Sequence, residues 1–364
     1  MKEISSSQSL SSGNSAEIPD GFVKRRSGLH PIKSYDNSKW MHGRSARHVR
    51  ILCEYLEVQD RLGNAQVLFT LLVFGSARSF SRANWEIEMK KSMAEQEEAN
   101  AANDTARIEE LEQKLKRLRR IEKLCEYWDK TYVLCKMLMT WFQTLEARKA
   151  LSRILREVPS PTGSTLARYF NVDVKSVENV AMPSQVALCT GGGKGLMEAA
   201  NKGAHDVEGA RSMGMGVSLP FEPELNTYVD PDLAFEFHYF FTRKFWMAYT
   251  AVAIIAVPGG FGTLDELMEL LTLKQTGKLK RDIPIVLFGE TFWKQVINFD
   301  AMVEYGTISE RDRNQLFFTD EPLDAFNYIK EHILSDKLIL GDTHVHKSIR
   351  NSQTSNATKT IQPF

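Results

Sequence analysis

The 364-residue sequence lacks most features that would assign it to a specialised class at once. It has no net charge: 46 Lys and Arg balance 46 Asp and Glu, so no field is available to hold a polyanion, and a nucleic-acid partner is not expected. Cysteine is scarce. Cys53, Cys125, Cys135 and Cys189 form no C-x-x-C pair, and Cys125 and Cys135 lie in a helical pattern, which argues against a disulfide framework and for a reducing, cytoplasmic setting. Long hydrophobic runs are missing as well. The longest, Met247 to Val257, is about half of the roughly 20 residues that a membrane-spanning helix needs, so no membrane partner is expected. The histidines form no H-x-x-x-H or H-E-x-x-H arrangement, so no metal is expected, and His238, in an aromatic stretch, reads as a packed core residue.

Glycine and proline are both absent from Trp85 to Glu157, a charged stretch with a helical pattern. Apolar residues recur at Ile108, Leu111, Leu115, Leu118, Ile121, Cys125, Trp128, Tyr132, Cys135 and Met139. The steps alternate between three and four except at Leu118 to Ile121, a local stammer in a heptad seam. The spacing predicts a coiled-coil-like helical insertion over about 85–160. It is either a helix or helical hairpin packed on its own domain, or an arm that pairs with another subunit.

Both ends are polar. The first carries Ser5, Ser6, Ser7, Ser9, Ser11, Ser12 and Ser15, then Lys24-Arg25-Arg26, with no apolar signal core; Glu3, Glu17 and Asp20 do not suit a transit peptide. Disordered tails are expected over 1–40 and 341–364, around a single domain at 41–340.

Within that domain, Val67 to Phe74 is a nearly unbroken apolar run, as in a strand buried on both faces of a parallel sheet. Beyond the insertion, strands are expected at Val186–Thr190, Met215–Leu219, Ala251–Val257 and Ile283–Phe288. Helices are expected at Gly195–Val207, His238–Thr250, Thr263–Gln275, Phe292–Tyr305 and Leu323–Leu334. Such alternation predicts an α/β fold, a Rossmann-like doubly wound parallel sheet, with ligands at the carboxyl ends of its strands.

Two of those strand ends are rich in glycine: Thr190-Gly191-Gly192-Gly193-Lys194-Gly195 and Pro258-Gly259-Gly260-Phe261-Gly262-Thr263. Glycine lets backbone N–H groups approach a ligand closely, and a helix N-terminus behind them adds partial positive charge, which together suit a phosphate. Neither is a standard nucleotide fingerprint. A P-loop needs Ser or Thr after its lysine, where Gly195 stands; a G-x-G-x-x-G from Gly191 needs glycine where Leu196 stands. Thr263-x-x-Glu266 also has the spacing of a capping box, in which Glu266 would only close the helix end. The apolar stripe of that helix is expected to be Leu264, Leu267, Met268 and Leu271, leaving Glu266 off the core face, where a catalytic carboxylate is equally well placed.

The strings GGGKGLM (191–197) and PGGFGTLDE (258–266), in that order around Arg243-Lys244, closely resemble the LONELY GUY family. Its members are phosphoribohydrolases of cytokinin riboside 5′-monophosphates and related nucleotides. The likeness covers roughly Val67–Phe80 and then Val186 to about Leu334, near half the chain. The runs GGGKGLMEAANKGA, LPFEPELNTYVD and FTRKFW look most like the longer bacterial-type branch, while the helices around 85–160 depart from the family's compactness. The resemblance implies catalytic roles for Arg243 and Glu266, with Lys244 beside them, and a phosphate loop of Gly259, Gly260, Gly262 and Thr263. It implies substrate contacts at Glu224 and Thr272. Gly75, Ser76, Gly192, Gly193 and Met197, at the neighbouring strand ends, are expected to complete the substrate and phosphate site. It further implies a homodimer or larger homo-oligomer with the active site near the subunit contact, and a nucleoside 5′-monophosphate as substrate. No cofactor is expected. Relatives have carried a lysine decarboxylase label, but a pyridoxal phosphate enzyme needs a Schiff-base lysine and a partner for the pyridinium nitrogen, and Lys194 and Lys244 show neither. The alternative to an enzyme is a non-catalytic carrier of a nucleotide-like ligand, such as the molybdenum-cofactor carriers.

Overall fold

The computed structural model describes residues 22–25, 28–157, 177–179, 184–218, 224–279, 281–335 and 338. The chain divides into two compact units, Met1–Leu56 and Glu57–Phe364. In the first, β1 (Phe22–Arg25) pairs antiparallel with β2 (Gly28–Pro31), and α1 (Ser38–Met41) follows, its first turn capped by the Asn37 side chain. The stretch expected to be a structureless tail therefore contains a hairpin and a helical turn. Residues 1–21 and 341–364 lie outside the described residues. The long helix α2 (Arg47–Asn64) begins in this unit, where Arg50 donates to the carbonyls of Met41 and Gly43.

The second unit is built on a sheet in which the described residues form seven strands, all parallel. In chain order they are β3 (Phe69–Phe74), β4 (Val186–Thr190), β5 (Arg211–Val217), β6 (Ala234–Phe237), β7 (Ala251–Ala256), β8 (Ile285–Phe288) and β9 (Leu316–Thr319). Their spatial order is β6-β5-β4-β3-β7-β8-β9. The chain winds outward from β3 to β6, then returns to the other side of β3, so the winding reverses between β3 and β7. That is the doubly wound arrangement, and the reversal opens a crevice at the strands' carboxyl ends. Strands β3, β4, β7 and β8 are buried along their whole length, which explains their continuous apolar runs. The edge strands β6 and β9 escaped sequence reading because both are four residues long and only partly buried: β6 does alternate, with Phe235 and Phe237 buried on either side of exposed Glu236, but over too few residues to mark a period.

Between β3 and β4 run four helices: α3 (Arg82–Ala101), α4 (Thr105–Ile121), α5 (Lys123–Phe142) and α6 (Leu145–Glu157). The heptad seam is divided between two of them. On α4, Leu111, Leu115 and Leu118 are buried in the pairing with α3, which is clasped by Trp85 Nε1 donating to the Leu118 carbonyl (2.8 Å) and by Lys114 with Glu88 (2.6 Å). On α5, Cys125, Cys135 and Met139 are buried, and this helix packs on α7 (Leu196–His205) and on α13 (Pro322–Leu334). Glycine permits the closest approach: a Cβ on Gly203 would lie 2.7 Å from the Tyr132 carbonyl oxygen. The stammer after Leu118 falls where the seam changes partner. Six of the ten seam residues are thus buried within the chain itself, while Ile108, Ile121, Trp128 and Tyr132 are half-buried.

The remaining helices are α8 (Phe240–Thr250), α9 (Phe261–Gln275), α10 (Glu290–Val296), α11 (Phe299–Glu304) and α12 (Glu310–Asn314). The stretch expected as one helix over Phe292–Tyr305 is two, α10 and α11, separated at Ile297 and Asn298; Ile297 is extended, and Asn298 caps the second. His238 is exposed rather than packed, its ring edge-on to Tyr239 at 4.7 Å. Among the described residues, no helix is long and apolar enough to cross a membrane.

Candidate active site

Three strand ends meet at the winding reversal, and Ser76 ties them together. Its N–H donates to the Pro258 carbonyl after β7 (3.0 Å), and its carbonyl accepts from Leu196 N at the start of α7 (2.9 Å). The packing here admits no side chain at Gly75, where a Cβ would collide with Val257, or at Gly195, which has φ +71° and backs onto the Ser76 carbonyl. These glycines shape the floor of the site.

Above them lies a cleft of ≈ 810 Å³ lined by the three turns and by α8, α9 and α10. Gly75, Ser76, Met197, Arg243, Gly259, Gly260, Gly262, Thr263 and Glu266 all border it, so these expected site residues are brought together. A smaller cavity of ≈ 300 Å³ adjoins it, sharing Gly191, Met197 and Arg243 and adding Gly192, Gly193 and Glu224. Two expected contacts fall elsewhere. Thr272 is exposed, borders neither cavity, and spends its hydroxyl on the Met268 carbonyl of its own helix. Lys244 faces α9, where its ammonium is held by Asp265 (2.7 Å) and Glu269 (2.8 Å). Burial opposes its charge, but those two hydrogen bonds outweigh it and hold the ammonium above its ordinary pKa. Lys244 thus docks α8 onto α9.

The second glycine loop ends in an open helix terminus. Helix α9 begins at Phe261, its N-cap is Gly260, and no side chain caps it. The capping-box expectation is therefore corrected: the helix starts two residues before Thr263, so Thr263 and Glu266 both lie inside it. The first-turn N–H groups, which have no intrahelical partner, are free to meet an anion. A Cβ on Gly260 or Gly262 would meet nothing within 4 Å, whereas one on Gly259 would collide with the Thr263 side chain.

The stripe of α9 that faces the protein is also rotated from expectation: Thr263, Glu266, Leu267 and Leu270 are its buried residues. Glu266, 7% exposed, is a carboxylate on the core side of the helix where it borders the cleft. Burial raises its pKa above the ordinary carboxylate value, partly offset by the charges of Arg243 and Lys244. Arg243, one turn into α8, places Nη2 3.8 Å from Glu266 Oε1. Its guanidinium rests on Gly191, where a Cβ would come 2.9 Å from Nη2, and its buried Nε has no hydrogen-bond partner among the described residues. Beneath, at the end of β4, burial pushes the Cys189 thiol up to about 12, so it supplies no thiolate.

Sequence reading missed the walls of this cleft. Arg78 stands at its mouth, donating its N–H to Ser76 Oγ, and Phe240, Phe261, Phe292 and Val296 line it. Phe261 is 92% exposed. The signal for an aromatic rim was present in Phe240-Phe241 and in Phe261 between two glycines, but aromatic residues at helical spacing read equally as core. Neither lysine suits pyridoxal phosphate, because Lys194 is exposed and borders neither cavity while Lys244 is held by two carboxylates.

The family model described as "Possible lysine decarboxylase" matches residues 197–329. Among similar curated proteins, a probable cytokinin riboside 5′-monophosphate phosphoribohydrolase of Oryza sativa subsp. japonica is 33% identical over 132 residues, 36% of this chain and 56% of the relative. Two cytokinin riboside 5′-monophosphate phosphoribohydrolases of Arabidopsis thaliana match at 33% over 37% of this chain and 62% of the relative, and at 27% over 50% and 85%. The chain thus spans somewhat over half the length of the first two. A solved structure, the molybdenum cofactor binding protein of Rippkaea orientalis, is 21% identical over 41% of this chain and 78% of that one, with a TM-score of 0.30.

Proposed function

We propose, for a chain related to the LONELY GUY family, that it is a phosphoribohydrolase: it hydrolyses the N-glycosidic bond of a nucleoside 5′-monophosphate to free base and ribose 5-phosphate. The substrate is a cytokinin riboside 5′-monophosphate or an AMP-like purine nucleotide. The observation that carries this reading is an uncapped helix terminus and a desolvated carboxylate on the same helix, bordering one cleft.

The 5′-phosphate takes the first-turn N–H groups of α9 and the space above Gly260 and Gly262. From Gly262, Glu266 lies four residues on, about 6 Å along the axis at roughly 1.5 Å per residue, which suits the distance across a ribose anchored by its phosphate. Cleavage of the C1′–N bond sends the electron pair to the base and leaves positive charge on the ribose ring. The Glu266 carboxylate stabilises that charge and orients the water that adds at C1′, whose proton is passed on as the base leaves protonated. The Arg243 guanidinium, whose Nε has no partner among the described residues, favours the ionised form of Glu266 against the effect of burial and offers a donor to the substrate. Remote binding of the phosphate positions the bond to be broken. A carrier would need the phosphate cradle but has no use for a carboxylate held in an unfavourable, buried place.

The assembly proposed is a homodimer or larger homo-oligomer. Phe240, Phe241 and Phe261 stand exposed near the cleft, and a second copy covering them would also shelter the site. The function is tested by incubating the protein with AMP, GMP, CMP and isopentenyl-AMP and assaying ribose 5-phosphate. Release from at least one purine nucleotide is expected; release from none would overturn the reading.

A further inference from the structure

The first glycine loop is held from behind by a buried network of amide and hydroxyl side chains that the proposed reaction does not touch. The Asn226 N–H donates to the Gly192 carbonyl at 2.7 Å. The Asn226 side-chain amide donates to the carbonyls of Gly192 (3.1 Å) and Gly193 (3.0 Å) and to Asn201 Oδ1 (2.9 Å). Asn201 Oδ1 also accepts from Thr190 Oγ1 (2.7 Å), which in turn accepts from Gly192 N (2.8 Å). Asn201 Nδ2 anchors the set to β5 through Ser212 Oγ (3.0 Å) and the Met213 carbonyl (3.2 Å). All four side chains are buried, and a buried amide with its partners satisfied specifies one geometry.

That geometry reaches the reacting groups. The C=O and N–H of a trans peptide point in opposite directions, so holding the carbonyls of Gly192 and Gly193 turns the following N–H groups away from Asn226. It also fixes the path of Gly191, on whose Cα face the Arg243 guanidinium lies; the room there is so small that a Cβ would come 2.9 Å from Nη2 and 3.1 Å from Met197 Sδ. Arg243 has no hydrogen bond to Glu266 to hold it, since their closest atoms are 3.8 Å apart. The loop is its support.

We infer that Asn226 is a positioning residue: by clamping the carbonyls of Gly192 and Gly193 it sets where Arg243 stands relative to Glu266. This rests on the phosphoribohydrolase reading. Asn226→Asp keeps the shape but removes the donors, setting a carboxylate against three acceptors. On protonation the acid regains one O–H donor.

At neutral pH, N226D is expected to lose about 10²-fold in kcat, as small misplacements of reacting groups do, with KM changed by no more than a few-fold. The ratio of N226D to wild-type kcat should climb as pH falls from about 8 to about 5, through the range where a buried carboxyl takes up its proton. Ser212→Ala removes one bond at the far end of the network and serves as the structural control. It should lower Tm and leave kcat unchanged. If N226D does not fold, Asn226→Ser, which keeps one hydroxyl donor, should show the kcat loss without the pH dependence. A wild-type kcat in N226D, a ratio flat with pH, or an equal kcat loss in S212A would overturn the positioning role while leaving the function intact. If the wild type releases ribose 5-phosphate from no nucleotide, the function fails instead, and hydrogen–deuterium exchange at 191–194 reads the clamp alone. Faster exchange in N226D but not in S212A supports it, and equal exchange overturns it.

Discussion

Arg243 Nη2 and Glu266 Oε1 face each other at 3.8 Å, beyond hydrogen-bonding distance, with both side chains largely buried. An ion pair serving packing alone would close to about 2.8 Å, because a desolvated charge is costly unless hydrogen-bonded. The guanidinium instead rests on a glycine, its Nε without a partner among the described residues, and the carboxylate stays with its ionised form disfavoured by burial. Both groups are left open to a third.

Glu266→Gln keeps the size of the side chain and removes its charge. Turnover is expected to fall by about 10²–10⁴-fold. Melting temperature near neutral pH should hold or rise, because the folded-state pKa is raised above the unfolded value. Between those two values the folded chain binds the extra proton, so stability falls as pH rises through that window, and the ionised group opposes folding above it. Thermal melts of both proteins across pH check this: the advantage of the variant should shrink on acidification. Near wild-type turnover would leave Glu266 without a chemical role.

The same raised pKa predicts the acidic limb of the rate. The carboxylate is the working form, so kcat should decline as pH falls through a value above the ordinary carboxylate range. A pH profile that stays flat until below pH ~4, where an unperturbed glutamate titrates, would contradict a desolvated Glu266.

Gly260→Ala adds a methyl group into the open space at the helix terminus. Affinity for a nucleoside monophosphate should drop while that for the free nucleoside barely changes, as read by calorimetry. Equal losses would remove the phosphate from this loop.

Leu115→Ala opens a cavity inside the α3–α4 pair, at a cost of about 2–5 kcal/mol. Tm should fall and the oligomer measured by light scattering should keep its size, because the leucine is buried within the chain. A smaller assembly with unchanged Tm would make this pair an arm between subunits.

The sheet was legible where its strands are buried on both faces, as in Val67–Phe74 and Ala251–Val257, because an unbroken apolar run needs no alternation to be seen. Short edge strands such as Ala234–Phe237 carry too few residues for a period. The glycine loops, Arg243 and Glu266 were legible as motifs, but their local geometry was not. T-x-x-E spacing suits a cap, yet the glycine at 260 let the helix begin earlier and turned Glu266 onto the buried face. Lys244 follows Arg243 in sequence, but successive helix residues point about 100° apart, so the two side chains serve different surfaces. Asn201 and Asn226 carry no spacing signal at all, since their partners are carbonyls, hydroxyls and each other, brought near only by the fold.

The most direct test is the simultaneous assay of free base and ribose 5-phosphate released from AMP and isopentenyl-AMP, by the wild type and by E266Q, with adenosine as the unphosphorylated control. The account predicts equal amounts of both products from at least one nucleotide, little from adenosine, and loss of both with E266Q. Adenosine cleaved as fast as AMP, or products undiminished in E266Q, would contradict it.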